Sequence, residues 1–137
     1  MIKIGGSLQN NHLARISVMD VSWRPDVAAV LLTAYGAAGI NVQFIVQSID
    51  HDDHCHVILC LDRDDLERAL DLCRMDETLC AWRVQADPNV ASLGIFGPDF
   101  RERPGIAGAF FSALTAAGIK IQAISTSVST VTAIIAA

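Results

Sequence analysis

Two stretches of this chain decide its fold: RPDVAAVLLTAYGAAGINVQFIVQS, residues 24–48, and RPGIAGAFFSALTAAGIKIQAISTS, residues 103–127. Aligned at an offset of 79 residues, they are identical at 11 of 25 positions. Such self-similarity at a fixed spacing indicates two copies of one structural unit. Upstream, residues 16–19 match residues 93–96 at an offset of 77, so the loop that follows is two residues longer in the second copy.

Each copy predicts a strand, a tight turn, a helix, a glycine turn and a second strand. Pro25 and Pro104 fall in the first helical turn. A backbone amide at that position has no hydrogen-bond partner within the helix, so a proline there removes no helical hydrogen bond. Gly39 and Gly118 end the helices, since glycine takes positive φ without strain. The predicted apolar faces, at spacings of three and four, are Val27, Val30, Leu31, Ala34 and Ala38 in the first helix, and Ile106, Ala109, Phe110, Ala113 and Ala117 in the second.

After the first copy, the pattern predicts a strand over residues 55–61, a second helix and another strand over 79–86. Asp62 is the expected N-cap of that helix, whose apolar face is Leu66, Ala69, Leu70 and Cys73. The order β-α-β-β-α-β is ferredoxin-like. The second copy continues into a strand over 128–137 with no second helix after it. We therefore predict an α+β fold of two ferredoxin-like units, with antiparallel sheets and helices on one face.

The repeat, the R-P-[DG]-[VI]-A turn and the run GIKIQAISTS at residues 118–127 resemble the paired ACT domains at the C-terminus of aspartate kinases. In that family one unit is inserted within the other. The resemblance therefore implies that the strand over residues 1–8 completes the second sheet. The expected units are residues 13–87, and residues 1–12 together with 88–137, the latter without its last helix.

The resemblance also implies a function. ACT units of this kind bind a small amino acid, commonly lysine or threonine, at the interface between units, and thereby regulate a kinase catalytic domain or subunit in amino-acid biosynthesis. Backbone amides at the start of the first helix suit a carboxylate, and Gln47 suits an ammonium group. The residues expected at the effector site are Trp23, Arg24, Pro25, Asp26, Val27, Ala28, Gln47, Lys120 and Ile121.

The turn departs from the family pattern D-x-P-G, because it reads Trp23-Arg24-Pro25-Asp26 here. The acid expected to meet the ammonium group is missing, and Asp26 places a carboxylate at the helix start, where it can satisfy the amides and repel an effector carboxylate. Two interpretations follow. Either the ligand differs from lysine or threonine, or the chain is a ligand-free ACT module for dimerisation and protein interaction.

Enzymatic activity is not expected. The run KIGGS at residues 3–7 is similar to the phosphate-binding start of the amino-acid kinase fold, but the two units leave no residues for a nucleotide-binding domain. No Ser/His/Asp or Cys/His set suggests nucleophilic catalysis. We therefore expect neither a catalytic site nor a cofactor.

Composition narrows the class of partner. The chain has 137 residues, a net charge of -5 and a mean hydropathy of +0.39. Because it lacks a Lys/Arg cluster, we expect no nucleic-acid or membrane binding. The uncharged stretches 27–49 and 121–137 contain polar residues and glycine or alternate in polarity, and no signal peptide is visible, so we expect a cytoplasmic protein. The apolar surface left by the missing helix predicts a homodimer.

The run DHDDHCH at residues 50–56 is the one candidate for a metal site. His54 and His56 would share one face of a strand and could supply two ligands, which makes a metal-responsive regulator a third hypothesis. No further ligand pair lies at a recognised spacing, and a solvated hairpin turn explains the composition equally, so we expect no metal. The four cysteines, none in a C-x-x-C pair, predict reduced core residues, and Trp23 and Trp82 predict packing anchors.

Overall fold

The computed structural model describes residues 6–23, 26–97, 105–127 and 129–137. Its strands are β1 (Gly6–Ser22), β2 (Val42–Ile49), β3 (His54–Asp62), β4 (Val84–Phe96), β5 (Ile121–Thr126) and β6 (Thr130–Ala136). Its helices are α1 (Val27–Ala37), α2 (Leu66–Met75) and α3 (Ile106–Ala116), with short 3-10 turns at Arg63–Asp65 and Leu79–Ala81. The chain divides into two compact units, one of residues 13–89 and one that joins the N-terminal residues up to 12 with residues 90–137.

The first unit, residues 13–89, contains α1 and α2. β3 pairs antiparallel with both β2 and the part of β1 after residue 12. The expected apolar face of α2 is buried at Leu66, Ala69 and Cys73, and Leu70 packs against the same core at its edge. The Asp62 side chain accepts a hydrogen bond from the Asp64 amide at 2.8 Å and caps the 3-10 turn Arg63–Asp65. The N-cap of α2 itself is Asp65, so the expectation that Asp62 caps this helix directly is wrong.

The second unit has the same strand arrangement with one helix among its described residues. β6 pairs antiparallel with β4 and β5, and α3 packs against β5 and β6. Its most buried apolar residues are Val90, Ala91, Ile106, Leu114, Val131, Ala133 and Ile134. The predicted α+β fold of two ferredoxin-like units is confirmed.

The helix ends agree with the repeat, but the buried faces differ in part. Gly39 and Gly118 have φ of 76° and 79°, in the left-handed region that the glycine turns require. Tyr35 and Leu114 occupy equivalent positions in the two copies of the repeat. Both are buried, although neither belongs to the expected apolar faces. In both helices the buried residues lie at multiples of four positions from the first residue. The expected burial of Ala109, Ala113 and Ala117 is therefore wrong, because these residues are exposed.

Two other expectations from the sequence are wrong. Residues 79–86 do not form one strand: Leu79–Ala81 is a 3-10 turn and β4 begins at Val84. The Asp76 carboxylate causes this, because it accepts hydrogen bonds from the amides of Thr78 and Leu79 and thereby stabilises a turn. Cys80 lies in that turn and is exposed, whereas the other three cysteines are buried, and all four are free thiols.

Pro25, Pro104 and residues 1–5, which carry expectations for helix starts and for the N-terminal strand, lie outside the described residues. Within the described part of the chain, no helix has the length and apolar character needed to cross a bilayer.

The core of the first unit offers a matched test of this fold. Leu31 is fully buried and its neighbour Leu32 is 39% exposed. Leu31→Ala should lower the free energy of unfolding by about 2–5 kcal/mol, since it removes buried methyl groups and leaves a cavity. Leu32→Ala should change it by about 0.5 kcal/mol or less. Urea unfolding followed by circular dichroism measures both, and equal effects would contradict the packing of α1.

Candidate functional site

The start of α1 is the region where the predicted effector residues meet. Asp26 has extended backbone angles, φ -60° and ψ 114°, and its Oδ1 accepts a hydrogen bond from the Ala29 amide at 2.9 Å. Its carbonyl oxygen accepts from the Val30 amide at 3.1 Å. Asp26 is therefore an N-cap that uses both its side chain and its backbone.

Gln47 on β2 reaches the same helix start. Its Oε1 accepts a hydrogen bond from the Ala28 amide at 3.1 Å. The strand pairs with β3 at this level, Gln47 lying opposite Val57, so the side chain extends from a fixed backbone position. The structure thus brings Gln47 and Ala28, both predicted from the sequence, into direct contact.

The amide of Val27 has an acceptor as well. It donates to the sulfur of Cys55, which is buried at the start of β3. Burial raises the pKa of the Cys55 thiol, the nearby Asp26 carboxylate raises it further, and the Val27 amide opposes them. Together with the bonds of Ala28, Ala29 and Val30, this contact gives all four amides of the first turn an acceptor within the protein.

Sequence reasoning missed Cys55 as part of this site. The residue read as an ordinary core cysteine, because its contact depends on how β3 packs beneath the start of α1. The only signal in the sequence is its place at the beginning of an apolar strand, directly after a polar turn.

Of the remaining predicted site residues, the structure describes Trp23, Lys120 and Ile121. Trp23 is 39% exposed and its amide donates to a carbonyl oxygen of the β2–β3 turn at 3.2 Å. Lys120 and Ile121 lie in the second unit, at the start of β5. Arg24 and Pro25 lie outside the described residues.

The second copy of the repeat has a different helix start. Gly105 takes the place of Asp26, has φ of 96° and provides no side-chain cap to α3. Thr126 takes the place of Gln47 at the end of β5. Asp26 and Gln47, whose side chains accept hydrogen bonds from the first turn of α1, are thus replaced by residues of other types in the second copy.

A second polar cluster lies in the first unit, where the β2–β3 turn meets β1. We call Asp20, Asp50, His54 and His56 the hairpin corner. His54 Nδ1 lies 2.5 Å from Asp20 Oδ1, and His56 Nε2 lies 2.9 Å from Asp50 Oδ2. The hydrogen bond with His56 lowers the pKa of Asp50 to about 2, and the bond with Asp20 raises the pKa of His54.

The hairpin corner uses its two histidines differently. His56 Nδ1 accepts from the Asp20 amide at 3.1 Å, so both ring nitrogens of His56 have partners. The alternative hypothesis that His54 and His56 act together as metal ligands is therefore not supported by the contacts. Asp50 also stabilises the turn itself, because its Oδ1 accepts from the amides of Asp52 and His54 at 2.9 and 3.0 Å.

Comparison with known proteins identifies what the chain is similar to. Residues 93–137 match the family model described as an ACT domain. The chain is 32% identical over 125 residues to an aspartokinase of Pseudomonas aeruginosa, a match that covers 90% of this chain and 30% of the relative. It is 32% identical over 129 residues to an aspartokinase of Helicobacter pylori, with the same coverage. The chain thus spans about 30% of the length of the curated relatives it matches.

Solved structures agree on the fold over nearly the whole chain. The crystal structure of aspartokinase alpha and beta subunits has a TM-score of 0.86 at 27% identity and covers 98% of this chain and 88% of that one. The ligand-free regulatory subunit of aspartate kinase from Thermus thermophilus has a TM-score of 0.86 at 23% identity, covering 98% and 89%. These structural matches span nearly the whole sequence.

The cap at Asp26 gives a direct test of the helix start. Asp26→Ala should lower the free energy of unfolding by about 1 kcal/mol, because the Ala29 amide loses its acceptor. Asp26→Gly, which introduces the residue of the second copy, should cost only a few tenths of a kcal/mol, since glycine is tolerated at this position. Urea unfolding distinguishes the two; a cost for glycine equal to that for alanine would contradict the cap.

Proposed function

Since the chain consists of tandem ACT units of the kind found in the regulatory region of aspartate kinases, we propose that it is an amino-acid-binding allosteric module that acts on a kinase catalytic domain or subunit. Its effector is a small α-amino acid, lysine or threonine by resemblance, and its place of action is the cytoplasm. The observation that carries this proposal is the hydrogen bond between Gln47 Oε1 and the Ala28 amide, at the start of α1.

That hydrogen bond offers a donor and an acceptor to the two ends of an amino-acid zwitterion. The α-carboxylate takes the Ala28 amide from Gln47, at the helix start where negative charge is stabilised. The released Oε1 of Gln47 then accepts from the α-ammonium group. One protein hydrogen bond is replaced by two charge-assisted bonds to the ligand, and each of these is stronger than a neutral one.

Asp26 sets the selectivity of such a site. Its carboxylate lies on the first turn, bonded to the Ala29 amide, and therefore repels the carboxylate of the effector. The same charge attracts a cationic side chain or ammonium group. Among amino acids, a basic effector such as lysine is accordingly favoured over an acidic one.

Regulation follows from the displacement of Gln47. An effector that binds better when Gln47 has left Ala28 favours that arrangement of β2 over the closed one. Only this difference in affinity can change the state of a partner. The catalytic partner must therefore contact the module in a way that distinguishes the two arrangements.

One observation favours a second candidate function, a ligand-free ACT module that serves as a homodimerisation scaffold. All four amides of the first turn of α1 already have acceptors in the protein. A pocket closed in this way needs no ligand for stability. This candidate predicts a dimer in analytical ultracentrifugation whose melting temperature no amino acid changes.

A thermal-shift scan with each of the twenty amino acids at millimolar concentration separates the two candidates. A ligand at about 100 times its dissociation constant stabilises the folded state by roughly 2.7 kcal/mol. We expect a selective rise in melting temperature of several degrees that Gln47→Ala abolishes. The control is Gln43→Ala, which changes a glutamine at the other end of the same strand and should keep the response. A flat response of the wild type would support the scaffold instead.

Asp26→Gly tests the charge argument on the same site. Removal of a carboxylate from the first turn should strengthen binding of threonine, whose side chain is neutral, about twofold to fivefold, which corresponds to the usual 0.3–1 kcal/mol for a charge at a helix end, and should reduce any preference for lysine over threonine. The dissociation constant is measured by isothermal titration calorimetry at low salt. Weaker binding by Asp26→Gly would show that Asp26 holds the effector rather than repels it.

A further inference from the structure

The hairpin corner brings three side chains of metal-binding type together. One ligand atom each from Asp20, Asp50 and His54 lies within 4.8 Å of the other two. Donors bound at 2.0–2.2 Å to one cation are about 3–4 Å apart, so small side-chain rotations complete the geometry. We propose that this corner binds one divalent cation of the zinc class through these three residues.

The backbone places Asp20 at the site by means of a β-bulge. The pairing of β1 with β3 shifts register between Val18 and Val21, which lie opposite Val57 and Cys55. The extra residue in β1 gives Asp20 a left-handed conformation, with φ of 62°. A bulge redirects a side chain out of the regular alternation, and here it sets the carboxylate beside His54.

His56 contacts the backbone of Asp20 and the carboxylate of Asp50 without serving as a ligand. Its Nδ1 accepts from the Asp20 amide, so its Nε2 carries the proton and donates to Asp50 Oδ2. In metal sites, carboxylates that bind the metal commonly accept hydrogen bonds from neighbouring side chains, and His56 can donate such a bond here. His56 thereby fixes the backbone of Asp20 and the side chain of Asp50 at once.

The set of ligands decides the class of cation. One imidazole nitrogen with two carboxylate oxygens suits Zn²⁺ and neighbouring divalent transition metals, whereas Mg²⁺ and Ca²⁺ prefer oxygen ligands alone. The side chains of His54 and Asp20 are 45% and 72% exposed, so water can fill the remaining coordination positions. A bound cation would join β1 to the β2–β3 turn and stabilise the fold.

The test measures Zn²⁺ binding by equilibrium dialysis and by thermal shift, in a Cys80→Ser background because the Cys80 thiol is exposed. We expect the parent chain to bind one equivalent more than His54→Ala, and to gain several degrees in melting temperature that His54→Ala does not gain. The matched control is His51→Ala, which changes a histidine of the same turn outside the cluster and should keep that equivalent. Asp20→Asn, which retains the shape of the side chain, should lose it.

Two further measurements determine whether each variant is folded and which type of atom binds the metal. Circular dichroism establishes that each variant is folded without metal. The visible spectrum of the Co²⁺-loaded chain should show d–d bands without a thiolate charge-transfer band, since no sulfur is among the ligands. The proposal is overturned if folded His54→Ala and Asp20→Asn bind as many equivalents as the parent, if the parent binds none, or if Mg²⁺ and Ca²⁺ bind equally well.

Discussion

The first turn of α1 has three backbone amides, those of Val27, Ala28 and Ala29, that the helix cannot satisfy from within, and the proposed site depends on how the chain satisfies them. Cys55, Gln47 and Asp26 provide the acceptors, from β3, β2 and the residue before the helix. The buried sulfur is inaccessible to an exchange with ligand, and the Asp26 cap belongs to the helix itself. Gln47 is the exposed acceptor on another element, and for this reason we propose that an effector carboxylate enters at the Ala28 amide.

The two copies of the repeat have diverged in what they bury and in what they expose. The first unit has two helices and a continuous apolar core, and its helix start is closed by side chains. Among its described residues the second unit has one helix, which begins at Gly105 without a side-chain cap.

Much of this fold was predictable from the sequence because the repeat itself carries the information. Two copies that preserve Gly39 and Gly118 indicate the same turn twice, and both turns are present. The spacing rule failed at Tyr35 and Leu114 because burial along these helices follows steps of four, while the expectation counted steps of three and four equally. The contact of Val27 with Cys55 could not be predicted, since it depends on three-dimensional packing between a helix end and a strand.

The contact of Gln47 with Ala28 was predictable in kind, since the resemblance to ACT domains assigned both residues to one site. The direct hydrogen bond between these two residues could not be predicted. Each group can bond either to the other or to a ligand, and the sequence does not tell which bond is stronger. The bulge at Asp20 was equally hidden, because it arises from the register of β1 against β3.

We propose that an amino-acid effector exchanges with Gln47 at the Ala28 amide. Two-dimensional ¹⁵N–¹H NMR of the labelled chain, recorded during titration with lysine or threonine, tests it most directly. We expect the resonances of the Ala28 backbone amide and the Gln47 side-chain amide to shift together and to saturate at one dissociation constant, with little change at Ala29. A titration that saturates at other residues and leaves the Ala28 amide unmoved would contradict it.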